Sequence, residues 1–293
     1  MDLQGVLPPI PTPFRDGDVD LGALQDNIRK WLQTPLRGIV VLGSNGEAPY
    51  LDEDESERVV AAARSVIPPD RVLIAGTGRE STRVAIEAGR RAAGAGADAV
   101  LVRTPSFFKS EMTTEAFVRH YSAVADASPV PVLLYNYTAV TGVNLEPAAV
   151  AQLSTHPNII GVKESGGDIA QISDYIAETP DGFAVMAGSG LNFYSALAVG
   201  ATGGVLALSA VVPDLCVRLY TLVRENRHAE AVALQRQLAP LARSITTRFG
   251  VAGLKVGVSL VGFVGGEPRS PLGPAAPDAH DVIRRQLVEL GVL

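Results

Sequence analysis

The chain has 293 residues, 47% hydrophobic and 19% charged, enough apolar mass for one large core of the barrel-domain size. A net charge of −6, spread along the chain with no basic block or arm, argues against nucleic acid as the main partner. The single cysteine, Cys216, excludes an internal disulfide framework, no apolar run reaches the roughly 18 residues of a membrane span, and the opening MDLQGVLPPIPTPF lacks a secretory pattern, so a reducing cytoplasmic setting is expected.

Eight apolar, strand-length runs follow one another: 5–14, 38–43, 71–76, 98–105, 130–137, 159–165, 183–189 and 204–210. Most alternate only weakly, as strands covered on both faces do. Helical stretches lie between them. Residues 51–67 carry acidic groups in the first turn, 81–96 open on a Ser/Thr cap, 113–127 follow, and 146–156 hold Pro147 near the start. With aromatics at only 5%, the core must be built from Ala, Val, Leu and Ile, which suits a tight parallel sheet wrapped by helices. The alternation predicts a (β/α)8 TIM barrel. A doubly wound open sheet is the alternative, but it would show fewer strands and a Gly-rich fingerprint after the first. Beyond about residue 212 the strand signal stops, and the remainder reads as helices broken at Pro240 and Gly250, closing with an amphipathic helix over 277–293. The barrel is therefore assigned to 1–222 and a helical extension packed on it to 223–293.

Barrel chemistry sits at the C-terminal ends of strands. Those ends are Gly43-Ser44-Asn45-Gly46-Glu47, Thr104 to Lys109, Tyr135-Asn136-Tyr137, Lys163-Glu164-Ser165 and Gly188-Ser189-Gly190. Lys163 is the odd member, because it closes the apolar run Ile159 to Val162. Period-two alternation puts Ile159, Gly161 and Lys163 on one side of the strand. If that side is the barrel interior, the lysine points at the mouth and is partly desolvated. A desolvated lysine has a lowered pKa and becomes an amine nucleophile towards carbonyls; a lysine snorkelling to water is the plainer alternative. Tyr135 ends the neighbouring strand, so its phenol could shuttle protons at the same floor, or it could be an ordinary interior aromatic. The Gly43–Glu47 turn and the Gly188-Ser189-Gly190 turn each suit an anion, or are simply tight βα turns.

The remaining signals are weaker. Gly76-Thr77-Gly78 lacks the third glycine of a dinucleotide fingerprint and reads as a turn. His120, His156, His228 and His280 fall on helices or their ends without metal-ligand spacing, and Cys216 reads as core.

Together, PTPF (11–14), GSNGE (43–47), Tyr135-Asn136 followed by Thr141-Gly142, and GVKES (161–165) resemble the dihydrodipicolinate synthase / N-acetylneuraminate lyase family of class I aldolases. The resemblance covers nearly the whole chain. It implies Lys163 as the Schiff-base lysine, Tyr135 as the proton-transfer phenol, and Ser44 and Asn45, with Gly46, as binders of a 2-oxo acid carboxylate. Val205 matches a position whose carbonyl lines the family's site, and Gly188, Ser189, Val140 and Phe107 complete the expected substrate-binding set. Within the family, GSNGEAPYL, HPNIIGVKESGGDI, GATGGVLALSAV and RFGVAGLK look similar to 4-hydroxy-2-oxoglutarate aldolase, while VVLGSNGEA and YNYTAVTG also resemble 2-keto-3-deoxy sugar acid aldolases.

Three departures bear on activity, one of them Thr138, which replaces the family's usual proline after Tyr-Asn-x. Synthases of the family place an arginine just before the Thr-Gly that follows the tyrosine, where this chain has Val140, so a less cationic, more apolar pocket is expected. The family's second tyrosine, contributed across a dimer contact, falls at Phe107 or Phe108, so Ser44 and water must complete the relay or the activity differs. The resemblance implies cleavage of a 4-hydroxy-2-oxo acid to pyruvate (or a glyoxylate-type 2-oxo acid) and an aldehyde, with no metal or organic cofactor. It also implies a homo-oligomer built as a dimer of dimers. A 2-keto-3-deoxy sugar acid aldolase or dehydratase using the same imine, and a non-catalytic barrel that only binds a 2-oxo acid, stay open.

Overall fold

A computed structural model describes all 293 residues. Eight parallel strands form the sheet: β1 Gly5–Leu7, β2 Gly38–Val41, β3 Val72–Gly76, β4 Ala99–Arg103, β5 Val132–Asn136, β6 Ile159–Glu164, β7 Ala184–Ala187 and β8 Gly203–Val205. From β2 to β8 each strand pairs with its sequence neighbour, and β1 pairs with β8 through Gly5↔Gly203 to Leu7↔Val205. The seam between β1 and β2 is closed by a bridge from Pro9 to Val40, with Arg37 N donating to Val6 O at 2.9 Å and Ile10 N to Val40 O at 2.9 Å. The fold is a (β/α)8 TIM barrel with C-terminal helices.

The first run is shorter as a strand than expected. Prolines 8, 9, 11 and 13 have no N–H to donate, so regular pairing stops at Leu7. Phe14–Arg15 then pairs antiparallel with Asp18–Val19 in a small hairpin. The last run likewise leaves the sheet at Val205 and turns into a single 3-10 segment over Ala207–Ala210.

Helices wrap the sheet, several of them started by side-chain caps. These are α1 Leu21–Trp31, α2 Glu53–Arg64, α3 Thr82–Gly94, α4 Thr114–Ala127, α5 Pro147–Leu153, α6 Ile169–Glu178 and α7 Phe193–Ala198. Asp52 and Glu55 form a reciprocal capping box at α2, while Ser81 and Thr113 accept from Val84 N and Ala116 N. Four helices follow: α8 Pro213–Arg224, α9 His228–Arg243, α10 Gly250–Leu260 and α11 Ala279–Glu289. Pro240 does not break α9 as expected. The helix runs through it to Arg243 and widens into a π turn at Ser244–Arg248, where the register is reset before α10. Val258, Ile283 and Leu287 of these helices belong to the same buried cluster as the barrel helices. No helix is long and apolar enough to cross a membrane.

Inside the barrel, Leu7, Val40, Ile74, Leu101, Leu133, Met186 and Val205 pack into a second, smaller cluster. Strand β6 enters it out of phase. The pairing with β5 slips between Val132↔Ile159 and Leu133↔Gly161. Ile159 therefore faces the helix layer and Ile160 packs against the interior cluster, contrary to strict alternation. After the slip, Gly161 faces inward where a Cβ would lie 2.9 Å from both Leu133 Cδ1 and Ala184 Cβ. That glycine is required by close packing, and Lys163 regains the interior phase.

Candidate active site

Register brings four side chains into one row at the barrel mouth. Arg103 of β4 pairs with Tyr135 of β5, Tyr135 with Lys163 of β6, and Lys163 with Met186 of β7. Residues in register on neighbouring parallel strands point to the same side. Tyr135 and Met186 both belong to the interior cluster, which fixes the direction for all four.

Lys163 is 2% exposed and makes no ion pair; its Nζ lies 4.0 Å from the Tyr135 ring centroid. Burial without a compensating carboxylate lowers its pKa from 10.5 to about 7. Its neighbour Glu164 does not neutralise it. That carboxylate points the other way, accepting from Asn136 Nδ2 at 2.7 Å and Gln171 Nε2 at 3.0 Å, and burial raises its pKa.

The Tyr135 hydroxyl lies 3.2 Å from Ser44 Oγ. Burial pushes the phenol up to about 12, opposed by the hydrogen bond to Ser44 and by the positive charge of Arg103. Ser44 sits in the turn after β2, which is two successive 3-10 turns, Ser44–Gly46 and Ala48–Tyr50, with α2 beginning only at Glu53. The turn thus does not open directly into a helix. The N–H groups of Ser44 and Asn45 come before its first internal bond, Gly46 N to Gly43 O at 3.0 Å, and have no partner inside it.

The turn is braced from the C-terminal helices. Glu47 has φ 57°, a left-handed conformation, and its carboxylate forms an ion pair of 2.6 Å with Lys255 of α10, the two side chains being 0% and 1% exposed. Arg269 N donates to Glu47 Oε2 at 2.8 Å, and the Arg269 guanidinium grips Glu55. Thr12 Oγ1 donates to Gly46 O at 2.7 Å, tying PTPF to the same turn.

A cavity of about 450 Å3 opens over the Arg103–Tyr135 end of this row, lined by Ser44, Tyr135 and Val140 together with Arg79, Glu80 and Arg103; Lys163, in contact with the Tyr135 ring, is not part of its lining. A larger hollow of about 890 Å3 lies at the opposite, N-terminal end of the barrel beside Met1, His156 and Ile160, away from the strand ends that carry the reactive groups. The expected apolar pocket is corrected by three charged side chains at its wall. Of the expected set, Lys163, Tyr135 and Ser44 converge, and Val140 lies at the rim with 61% exposure. Asn45 and Gly46 lie in the braced turn, and Val205 lines the barrel interior. Gly188 and Ser189 do not line the cavity. A Cβ at Gly188 would sit 1.8 Å from Ser165 Oγ, and Ser189 Oγ is engaged by Leu191 N at 3.2 Å. Phe107 is 77% exposed and meets only Phe108 edge-on at 5.0 Å, outside the cavity of this chain.

Arg103, Glu80 and Lys255 were not singled out from the sequence. Arg103 carried the same signal as Lys163, a charge closing an apolar run (AVLVR). The histidines behave as expected of structural residues: His120 is buried against Thr82 Oγ1 at 2.9 Å and His156 meets Asp126 at 3.1 Å. Cys216 is buried, which pushes its thiol up.

Fold and site together define a class, the (β/α)8-barrel lyases. The model of the dihydrodipicolinate synthetase family matches residues 2–290, and the chain belongs to that family, an enzyme with its carbon–carbon lyase character. Among similar relatives, 4-hydroxy-tetrahydrodipicolinate synthase of Methanoculleus marisnigri is 37% identical over 98% of this chain and 99% of its own length. Among solved structures, dihydrodipicolinate synthase of Thermotoga maritima superposes with a TM-score of 0.95 at 29% identity, covering 100% of both chains. YagE, a prophage protein of E. coli K12 solved in complex with pyruvate, gives 0.92 at 27% identity over 99% of both.

Proposed function

We propose that Lys163 forms an imine with a 2-oxo acid and that the chain cleaves a 4-hydroxy-2-oxo acid, with 4-hydroxy-2-oxoglutarate the favoured form, to pyruvate and an aldehyde. The observation that carries this reading is the buried, unpaired Lys163 amine, lowered to about 7 and set against Tyr135. At neutral pH a large share of it is the free amine that attacks C2. The carbinolamine loses water, and the protonated imine is the electron sink. The C4–OH proton leaves, C3–C4 breaks, and its electron pair passes into the enamine of pyruvate; no further electron acceptor is needed. Tyr135, whose pKa lies near 12, is neutral at pH 7. It therefore acts as a relay, taking the C4 proton while passing its own to Ser44 Oγ, which in turn releases its proton to water. By the family resemblance, Ser44 and Asn45 hold the 2-oxo acid carboxylate at the free N–H groups of their turn.

The barrel, residues 1–222, carries this chemistry, and the extension, 223–293, braces the Glu47 turn through Lys255. We further propose a cytoplasmic homo-oligomer built as a dimer of dimers, with the exposed Phe107–Phe108 pair at a subunit contact. A second reading, 4-hydroxy-tetrahydrodipicolinate synthase activity, is favoured by the names of relatives at 34–37% identity. Val140 in place of the synthases' arginine speaks against it. The test is incubation with racemic 4-hydroxy-2-oxoglutarate, with pyruvate followed by lactate dehydrogenase and glyoxylate by its phenylhydrazone. Equal release of both supports the aldolase. Loss of water without pyruvate, or turnover only with pyruvate plus aspartate semialdehyde, overturns it.

A further inference from the structure

Of the three charged side chains at the cavity wall, Arg103 shares a row with the two reactive groups. Arg103 closes β4 as Lys163 closes β6, and Tyr135 stands between them in register. Its guanidinium is only partly committed. Nη1 donates to Thr104 O at 2.8 Å and to Ser106 Oγ at 3.1 Å, and Nη2 donates to Glu80 Oε1 at 2.9 Å. An arginine presents five N–H groups in a rigid plane. Nε–H and one Nη2–H of Arg103 are therefore left without a protein acceptor beside the cavity.

The neighbouring arginine differs. Arg79 also keeps two N–H groups, one on Nη1 and one on Nη2, but its Nε–Nη2 edge is held bidentate by Glu53 at 2.8 and 3.1 Å, whereas the Nε of Arg103 is free. Glu80 aims Arg103 instead of saturating it. Its second oxygen accepts from Ser106 N at 2.7 Å and Phe107 N at 2.9 Å, which anchors the carboxylate to the loop and sets the plane of the guanidinium. The Arg103 side chain is 24% exposed, so it is partly desolvated yet open to a ligand.

Lys163 and Arg103 are two strands apart, about 10 Å between Cα atoms at ~4.8 Å per strand. A five-carbon acid joined to Lys163 at C2 carries its second carboxylate three bonds further on, at C5, on the Arg103 side of Tyr135 if it extends along the row. We infer that Arg103 recognises a second, distal carboxylate, so that the substrates are short 2-oxo dicarboxylates and not 2-oxo acids with a neutral tail. This rests on the imine reading above. The cation absent at Val140 is thereby supplied from a different strand.

The test compares two acids of equal length, 2-oxoglutarate and 2-oxopentanoate, which differ only in the distal group. Each is titrated against the intact protein with borohydride, and half-saturation of the Lys163 adduct is read by mass spectrometry, with pyruvate as the reference acid. The expected preference for 2-oxoglutarate is tenfold or more, roughly what one charge-assisted hydrogen bond carries. Arg103→Met brings the ratio close to one, and Arg103→Lys, which keeps charge but not the fork, leaves it in between. A pyruvate adduct in each variant reports an intact fold, so the ratio is read on folded protein. Equal half-saturation in the parent protein, or an unaltered ratio in both variants, overturns the role of Arg103 alone. Absence of a pyruvate adduct at Lys163 in the parent protein overturns the imine reading and this inference with it.

Discussion

Replacing Lys163 by Met should abolish imine chemistry and make the protein more stable. The side chain is 2% exposed and its pKa falls from 10.5 to about 7 on folding. At about 1.4 kcal/mol per tenfold change, that interval corresponds to roughly 5 kcal/mol of destabilisation, an upper figure. The direction is set by the unfolded chain, which binds the proton more tightly. Below about pH 7 the full penalty is present; it declines as pH rises and vanishes above 10.5. Met has a similar length and no charge to desolvate. Urea unfolding of Lys163→Met and the parent protein at pH 6.5 should therefore differ by about 2–5 kcal/mol in favour of the variant. The gap should shrink steadily up to pH 10.5. A variant that is less stable at pH 6.5, or a gap independent of pH, would refute the claim that this lysine is buried without a partner.

Three further outcomes follow from the same geometry. The value of kcat/KM should fall about tenfold per pH unit below about pH 7, where Lys163 becomes an ammonium, and a flat profile from pH 5.5 to 8 would speak against an amine of that pKa. Tyr135→Phe should lower kcat by roughly 10²–10⁴ while a borohydride adduct with pyruvate still forms, since the lysine remains buried. Lys255→Met should cost about 3–5 kcal/mol in thermal or urea unfolding by leaving Glu47 charged and unpaired. The double change Glu47→Leu with Lys255→Met should recover most of that loss, whereas simple addition of the two single effects would show that the pair is not coupled.

The barrel was legible because strands covered on both faces must be continuously apolar, and eight such runs separated by helices leave few topologies. Lys163 was legible for the converse reason: a charge closing an apolar run stands out against its background. The phase of β6 was not, because the slip at Ile159–Ile160 depends on pairing with β5 and leaves no local mark. Glu47 and Lys255 were likewise invisible as a pair, since only the docking of α10 brings them together. Arg103 bears the same anomaly as Lys163, a charge closing an apolar run, but only its register with Tyr135 turns it to the barrel mouth. Pro240 reads as a break in the sequence, although α9 carries it three residues before its end. The Gly188-Ser189 turn looked like the Gly43–Glu47 turn in composition, but its hydroxyl is used within its own loop.

The central claim is the Schiff base. Borohydride reduction of the protein in pyruvate, followed by proteolysis and mass spectrometry, should show one stable adduct on the peptide that contains Lys163. An adduct on another lysine, or none, would contradict the account.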